Sequence, residues 1–419
     1  MSILIKNILL GNKKTDIYVE GSIIKKIEKN IKEKAEFVID GNGKAAIPGL
    51  VNSHTHAAMT LFRSYADDMS LQEWLEKKIW PLEAKLTEKD VYWGTKLACL
   101  EMIKSGTTCF NDMYWHLMGS AKAVEEMGIR AVLTAVLIDF FDSKKAEEQI
   151  KLNKRLFDES RKFSKRIVFA LGPHAIYSVS KESLLWCKEF AEENNLLIHI
   201  HLSETAKEVK DCLKQHKMRP AEYLGKIGFL GPNVIACHSV WLNEKEIKIL
   251  AENKVNIAHN PVSNMKLAVG DALHYEEMRK HGLNVCLGTD GCASNNNLDM
   301  FESMKFAALL QKAFRNKQTL LPANEAFEMA TINGAKALRI NAGEIKEGKL
   351  ADILLIDLKR PELTPNHNLI SNLVYSANGS CVDTLICDGK IIMENRKVKG
   401  EEEILENAQK AAFDILSRK

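Results

Sequence analysis

The residue order predicts an α/β protein, a (β/α)8 barrel of the TIM type with a small β-sandwich domain built from both chain ends. Three observations point there. Short apolar runs alternate with long amphipathic stretches through the middle of the chain. Most of those runs finish in histidine or aspartate. Both ends carry short strand-like runs, and neither end has enough of them to close a core of its own.

Composition narrows the class first. The chain has 419 residues, 46% hydrophobic and 27% charged, which is enough apolar surface for an ordinary core and excludes a disordered, collagen-like or disulfide-scaffold protein. Lys+Arg 58 against Asp+Glu 55 leaves a formal charge of +3 with no basic stripe, so no nucleic-acid partner is expected. The nine cysteines form no C-x-x-C pair and read as reduced, buried, small apolar residues. No apolar run approaches the roughly 20 residues that span a bilayer. Lys6 and Asn7 interrupt the apolar start where a signal peptide would need continuity. A cytoplasmic protein with no membrane partner is expected.

The elements follow in order. Residues 1–47 read as the N-terminal part of the small β domain. Its strands are Ile3–Ile5, Ile8–Leu10, Asp16–Val19 and Ile23–Ile27, with turns at Gly11-Asn12 and Gly21. Residues 48–345 read as the barrel. Its candidate strands are Gly49–His56, Thr107–Asp112, Arg130–Ile138, Ile167–Pro173, Leu197–His201, Val234–His238, Asn256–His259 and Asn284–Thr289. Helical patterns such as Glu88–Lys104 and Lys181–Asn194 lie between most of them. Residues 346–419 read as the C-terminal part of the β domain. They hold a strand at Ala351–Asp357 and a hairpin, Val382–Cys387 and Lys390–Met393, turned at Asp388-Gly389.

Polar residues gather at the C-terminal ends of the barrel strands: His54 and His56, His174, His199 and His201, His238, and Asp290. That face of a barrel builds active sites, whereas a doubly wound sheet would collect its site at one switch point. Two residues apart on a strand, His54 and His56 point to one side and can reach one ion. Three histidines and an aspartate drawn from three strands make a first shell for a divalent ion, zinc foremost, with iron or manganese as alternatives. His199 and His201 share the same spacing, so spacing alone leaves open which is the ligand; a supporting or structural role is favoured for His199. Glu204, three residues beyond His201, stands where a general acid/base belongs. Capping of the following helix is its alternative reading. His238 is either a site residue or a satisfied core histidine.

Pro48-Gly49 to His56, His201 to Thr205, His238, Asn260-Pro261-Val262-Ser263-Asn264 and Gly288-Thr289-Asp290-Gly291 together resemble the amidohydrolase superfamily. More narrowly, Trp80-Pro81-Leu82-Glu83, Gly172-Pro173-His174 and the tail Ser294 to Asp299 resemble the methylthioadenosine/S-adenosylhomocysteine deaminases, which include archaeal 5′-deoxyadenosine deaminases. The match runs over essentially the whole chain. The resemblance implies a metal-dependent hydrolase barrel, with His54, His56, His201 and Asp290 as metal ligands. It implies Glu204 as the proton-transfer carboxylate and His238 beside the hydrolytic water. Glu83 and His174 are implied to hold the ribose hydroxyls; on spacing alone Glu83 would read as a solvated helix residue. Gly172-Pro173-His174 stands where two-metal relatives carry a carboxylated lysine, which favours one ion.

The implied reaction is hydrolytic deamination of 5′-modified adenosines, to the inosine analogue and ammonia. The chemistry of the residues agrees: an ion acidifies water, Glu204 protonates the ring, and Asp290 carries the water proton to the departing ammonia. Other aminohydrolases, of guanine, cytosine or triazines, are the alternative; their substrates have no ribose for Glu83 and His174. The sequence departs from relatives that clamp a substrate carboxylate with two arginines. Ala135 stands at the first of these places and Ala146-Glu147-Glu148 around the second. Compact uncharged 5′ groups, as in 5′-deoxyadenosine or 5′-methylthioadenosine, are therefore favoured, with S-adenosylhomocysteine accepted only if another cation serves. P-C-x-x-C is absent, which excludes the other class of zinc deaminase. The resemblance also implies a homo-oligomer, a dimer or tetramer.

Overall fold

A computed structural model describes residues 1–418. Eight parallel strands run in sequence order round a barrel: β1 (Leu50–Thr55), β2 (Thr107–Tyr114), β3 (Arg130–Leu137), β4 (Ile167–Pro173), β5 (Leu197–Leu202), β6 (Val234–His238), β7 (Asn256–His259) and β8 (Asn284–Leu287). Each expected strand is present with its ends moved by three residues at most. Helices Glu88–Lys104 and Lys181–Glu193 are where the apolar period places them.

The period of two sorts the side chains. Val51, Cys109, Val132, Ala170, Leu197, Ile235, Cys237, Ala258 and Cys286 meet inside the barrel, above a plug of Ala335, Ala337 and Leu338. Their alternates, such as Leu133, Leu171, Ile198, Ile200 and Ile257, join the core under the helices. On β5 the inward row therefore reads Leu197, His199, His201 from the floor of the barrel upward.

β8 and β1 share no ladder. The barrel closes instead through the N–H groups of Thr289 and Asp290, which donate to the His54 carbonyl at 3.1 and 3.0 Å. A side chain at Gly288 would put its Cβ 2.4 Å from Asn260 Oδ1 and 2.8 Å from the His54 backbone oxygen, so only glycine lets the two strands approach.

Strands from both chain ends join one mixed sheet of nine strands, in which Lys44–Pro48 pairs antiparallel with Ile353–Asp357. The expected Ile3–Ile5 and Ile8–Leu10 are one strand, Ser2–Leu10, with a register shift between Ile5 and Ile8 where Asn7 turns left-handed at φ 56°. Three strands lie outside the sequence expectation, Phe37–Asp40, Lys44–Pro48 and the two-residue Lys397–Val398. Arg130, at the foot of β3, donates to Asp352 at 2.7 Å and to Asp388 at 2.6 Å, tying the barrel to this sheet. Removing one partner of such a buried pair costs about 3–5 kcal/mol. Arg130 is thus committed at the end of β3 opposite the site and cannot serve a substrate. The C-terminal helix Glu401–Ser417 packs through Ala408, Ala411 and Ile415 in a cluster with Val91 of helix Glu88–Lys104. All nine cysteines are free and buried. No described helix is long and apolar enough to cross a membrane.

Candidate active site

The strand ends deliver His54, His56, His174, His201, Glu204, His238 and Asp290 to one face of the barrel, and all but His54 line a single cavity with Glu83. Ring nitrogens of His54, His56 and His201 lie within 4.8 Å of one another, and ligand atoms of His54, His238 and Asp290 do likewise. Asp290 Oδ1 is 3.4 Å from His54 Nε2 and 3.3 Å from His56 Nε2.

The other nitrogen of each ring is already committed. His56 Nδ1 donates to the Met113 carbonyl at 2.6 Å and His201 Nδ1 to the His174 carbonyl at 2.9 Å. His54 Nδ1 faces His199 Nε2 at 2.9 Å. With Nδ1 holding the proton, each Nε2 keeps its lone pair for the cavity. His54 Nε2 is buried without any hydrogen-bond partner, a costly state that an ion would relieve. Burial pulls His54 down to about 4, so its ring is neutral at pH 7. Burial opposes ionisation of Asp290 as well, but the surrounding imidazoles of His54, His56 and His238 outweigh it and hold the carboxylate well below its usual range. Neutral imidazoles round one carboxylate are a fitting set for a divalent cation. A second grouping, His54, His199 and Cys237, does not fit one, because His199 Nε2 is only 2.9 Å from His54 Nδ1 and 2.5 Å from Cys237 Sγ.

Around this pole the proton-carrying groups are set by the loops. His238 and Asp290 adopt left-handed backbone, φ 65° and 63°, which turns each residue at its strand end. His238 Nδ1 donates to Asn264 Oδ1 at 2.8 Å and lies 3.7 Å from Glu204 Oε1. Burial lowers the His238 ring, yet the charges of Glu204 and Asp290 leave it above its ordinary value. Burial pushes Glu204 up, which favours its protonated form. Thr205, not Glu204, caps the following helix, taking the Glu208 N–H on its Oγ1 at 3.2 Å. Asp290 Oδ2 accepts from Ser263 Oγ at 2.6 Å.

Residues 45–392 match the model of the amidohydrolase family. The chain belongs to that family. It is 52% identical to a 5′-deoxyadenosine deaminase of Methanoregula boonei, over 100% of this chain and 96% of the relative. It is 54% identical to a 5-methylthioadenosine/S-adenosylhomocysteine deaminase of Archaeoglobus fulgidus, over 97% of this chain and 94% of the relative. The fold superposes on a zinc-bound adenosine deaminase of Xanthomonas campestris with TM-score 0.94 and 33% identity, covering 99% of each chain.

In this amidohydrolase, Glu83 ends the helical segment that follows β1. Trp115 Nε1 donates to Glu83 Oε2 at 3.3 Å, and desolvation in the cavity pushes the carboxyl up, against the pull of Tyr114 and Trp115. His174 Nδ1 pairs with Ser178 Oγ at 2.8 Å, and burial takes the ring down to about 3, so it is neutral. Trp80 packs edge-on against Phe140 at 6.0 Å while also lining the cavity. Sequence reasoning did not single out Tyr114 or Trp115. Both sit beyond Asp112, where the expected second strand stopped two residues short of the observed β2. The roles of Asn264 and Ser263 as partners of His238 and Asp290 were also unread. In the sequence their motif, Asn260 to Asn264, stands out only by its resemblance.

Proposed function

We propose that the chain is a metal-dependent hydrolytic deaminase of 5′-modified adenosines, acting on 5′-deoxyadenosine and 5′-methylthioadenosine. The observation that carries this reading is one cavity holding both a cation-fitting pole and the pair Glu83 and His174. The names of relatives at about half identity over the full length support the same substrate class.

His54, His56, His201 and Asp290 would hold one divalent ion, zinc by preference. When bound, such an ion supplies a water acidified toward a pKa of about 7. Glu204 gives its proton to the ring nitrogen beside the aminated carbon, which makes that carbon electrophilic. Asp290 takes the proton of the attacking water, and Ser263 keeps its other oxygen fixed. His238, aligned by Asn264, orients that water. Asp290 returns its proton to the departing amine while Glu204 takes the proton of the newly added hydroxyl, so water and nucleoside become ammonia and the inosine analogue and both carboxyls return to their starting states. Glu83 accepts hydrogen bonds from the ribose hydroxyls, and the neutral His174 ring offers Nε2 beside it.

A cavity of about 860 Å³ adjoins the site through Trp80, Glu83, Trp115 and Ile138; its lining includes Lys145 and Arg155 together with Glu88 and Glu159, and Arg155 Nε lies 3.8 Å from Glu159 Oε1. Those cations favour S-adenosylhomocysteine as a further substrate, despite Ala135 at the usual arginine position. We also read residues 1–47 and 346–419 as one small domain on the barrel 48–345, and the protein as a cytoplasmic dimer or tetramer.

The test is kcat/KM for ammonia release on 5′-deoxyadenosine, 5′-methylthioadenosine, S-adenosylhomocysteine, adenosine, adenine and guanine, before and after chelation and metal return. Metal-dependent preference for the 5′-modified nucleosides is expected. Turnover of free bases alone would overturn the nucleoside reading, and full activity in chelator would overturn the metal.

A further inference from the structure

Glu208 is a buried acid that the reaction above does not use. It sits in the first turn of helix Ala206–His216 and is 5% exposed. A glutamate at this position of a capping box reaches back to the N–H of the cap residue, here Thr205. Glu208 goes further. Its Oε1 accepts from the Ser203 N–H at 2.8 Å and its Oε2 from the Glu204 N–H at 2.9 Å. Each carboxylate oxygen holds one of two consecutive amides, and one of these belongs to Glu204 itself.

The same peptides are held from the other side. Ser203 is left-handed at φ 49°, a conformation unfavourable for serine. Its carbonyl accepts from the Trp241 N–H at 2.8 Å, and the Leu202 carbonyl from the Ser239 N–H at 2.9 Å. The loop carrying Glu204 is thereby tied to the loop carrying His238. The 3.7 Å approach of Glu204 to His238 follows from these ties.

We propose that Glu208 is a positioning residue, whose bidentate grip on the Ser203 and Glu204 amides holds the Glu204 carboxyl where it meets the substrate ring. The grip is a property of the loop and would exist in the protein with or without substrate. Only the turnover arm of its test rests on the deaminase reading.

Glu208→Gln keeps the shape but replaces one acceptor oxygen with an NH2 group that faces an N–H. Amide hydrogen exchange of the metal-loaded protein is measured over residues 202–209, together with kinetics on 5′-deoxyadenosine. Exchange at Ser203 and Glu204 is expected to accelerate at least about 10-fold, the scale of one lost hydrogen bond. kcat is expected to fall about 100-fold, as for a reacting group displaced by roughly 1 Å, with KM within about twofold and metal content unchanged. Thr205→Ala is the control: it removes the helix cap, lowers stability, and leaves kcat in place.

Unchanged exchange in Glu208→Gln would overturn the grip. Faster exchange with unchanged kcat would overturn positioning, and so would an equal loss of kcat in Thr205→Ala. Should Glu208→Gln not fold, exchange of the wild-type Ser203 and Glu204 amides at the rate of open loop amides would overturn the proposal. A wild-type protein that releases no ammonia from any nucleoside sinks the deaminase reading, while the exchange result still judges the grip.

Discussion

Replacing Glu83 by alanine tests the nucleoside site directly. The carboxylate has two oxygens facing the cavity, and one of them already takes the long 3.3 Å bond from Trp115 Nε1. A hydrogen bond to a charged group contributes about 1.5–3 kcal/mol, so two ribose hydroxyls on Glu83 represent about 3–6 kcal/mol gross. Water entering the truncated site returns part of this. The expected loss is about 3 kcal/mol, or roughly 150-fold in kcat/KM. A cycle isolates it: wild type and Glu83→Ala, each with 5′-deoxyadenosine and with the analogue lacking both ribose hydroxyls, read by ammonia release. The wild type should lose on the order of 100-fold when the hydroxyls go, and Glu83→Ala almost nothing more, a coupling of at least about 2 kcal/mol. A coupling below about 0.5 kcal/mol would refute the reasoning, because Glu83 and the hydroxyls would then act independently.

Glu204→Gln should keep its metal and lose about 10³-fold or more in kcat, the usual reach of a general acid; an active variant would remove Glu204 from proton transfer. His199→Ala should weaken metal binding about 10- to 100-fold in a chelator competition, because His199 Nε2 holds His54 Nδ1 from beneath; unchanged affinity would leave His199 a packing residue. Burial pushes Glu208 from its ordinary 4.5 up to about 7, against the pull of the Ser203 and Glu204 amides. A carboxyl raised on folding contributes stability that is complete below its unfolded pKa and is lost as pH rises through the folded value. Wild-type protein should therefore lose stability relative to Glu208→Gln as pH rises from about 4.5 to about 7 in urea unfolding, and level off above; a constant difference across that window would contradict the shift.

How much of this was legible in the sequence differs from element to element. The barrel strands were readable because each is short, apolar and bounded by turn residues, and because a strand's period of two is local. His54 and His56 were readable as a pair for the same reason. His199 and His201 were not separable by spacing, since both face inward on β5. What separates them is height in the barrel: His201 opens on the cavity, while His199 lies one layer down against Cys237. Lys44–Pro48 escaped notice because its partner, Ile353–Asp357, lies some three hundred residues away.

The sequence by itself determined the alternation of strand and helix, the face on which the polar strand ends collect, and the set of residue types there. These rest on local periodicity and on the chemistry of single side chains. Only the tertiary structure decided which nitrogen of each histidine faces the cavity, since that depends on carbonyls of Met113 and His174 on neighbouring strands. It also decided that Arg130 serves the small sheet and that Glu83 lies half-buried beside Trp115. Glu208, too, takes its meaning from the fold: at its position in the sequence it is one more helix-start glutamate, and the left-handed turn at Ser203 brings the Glu204 amide within its reach. Such pairings are contacts between distant backbones, and a chain encodes them only through the packing that brings those backbones together.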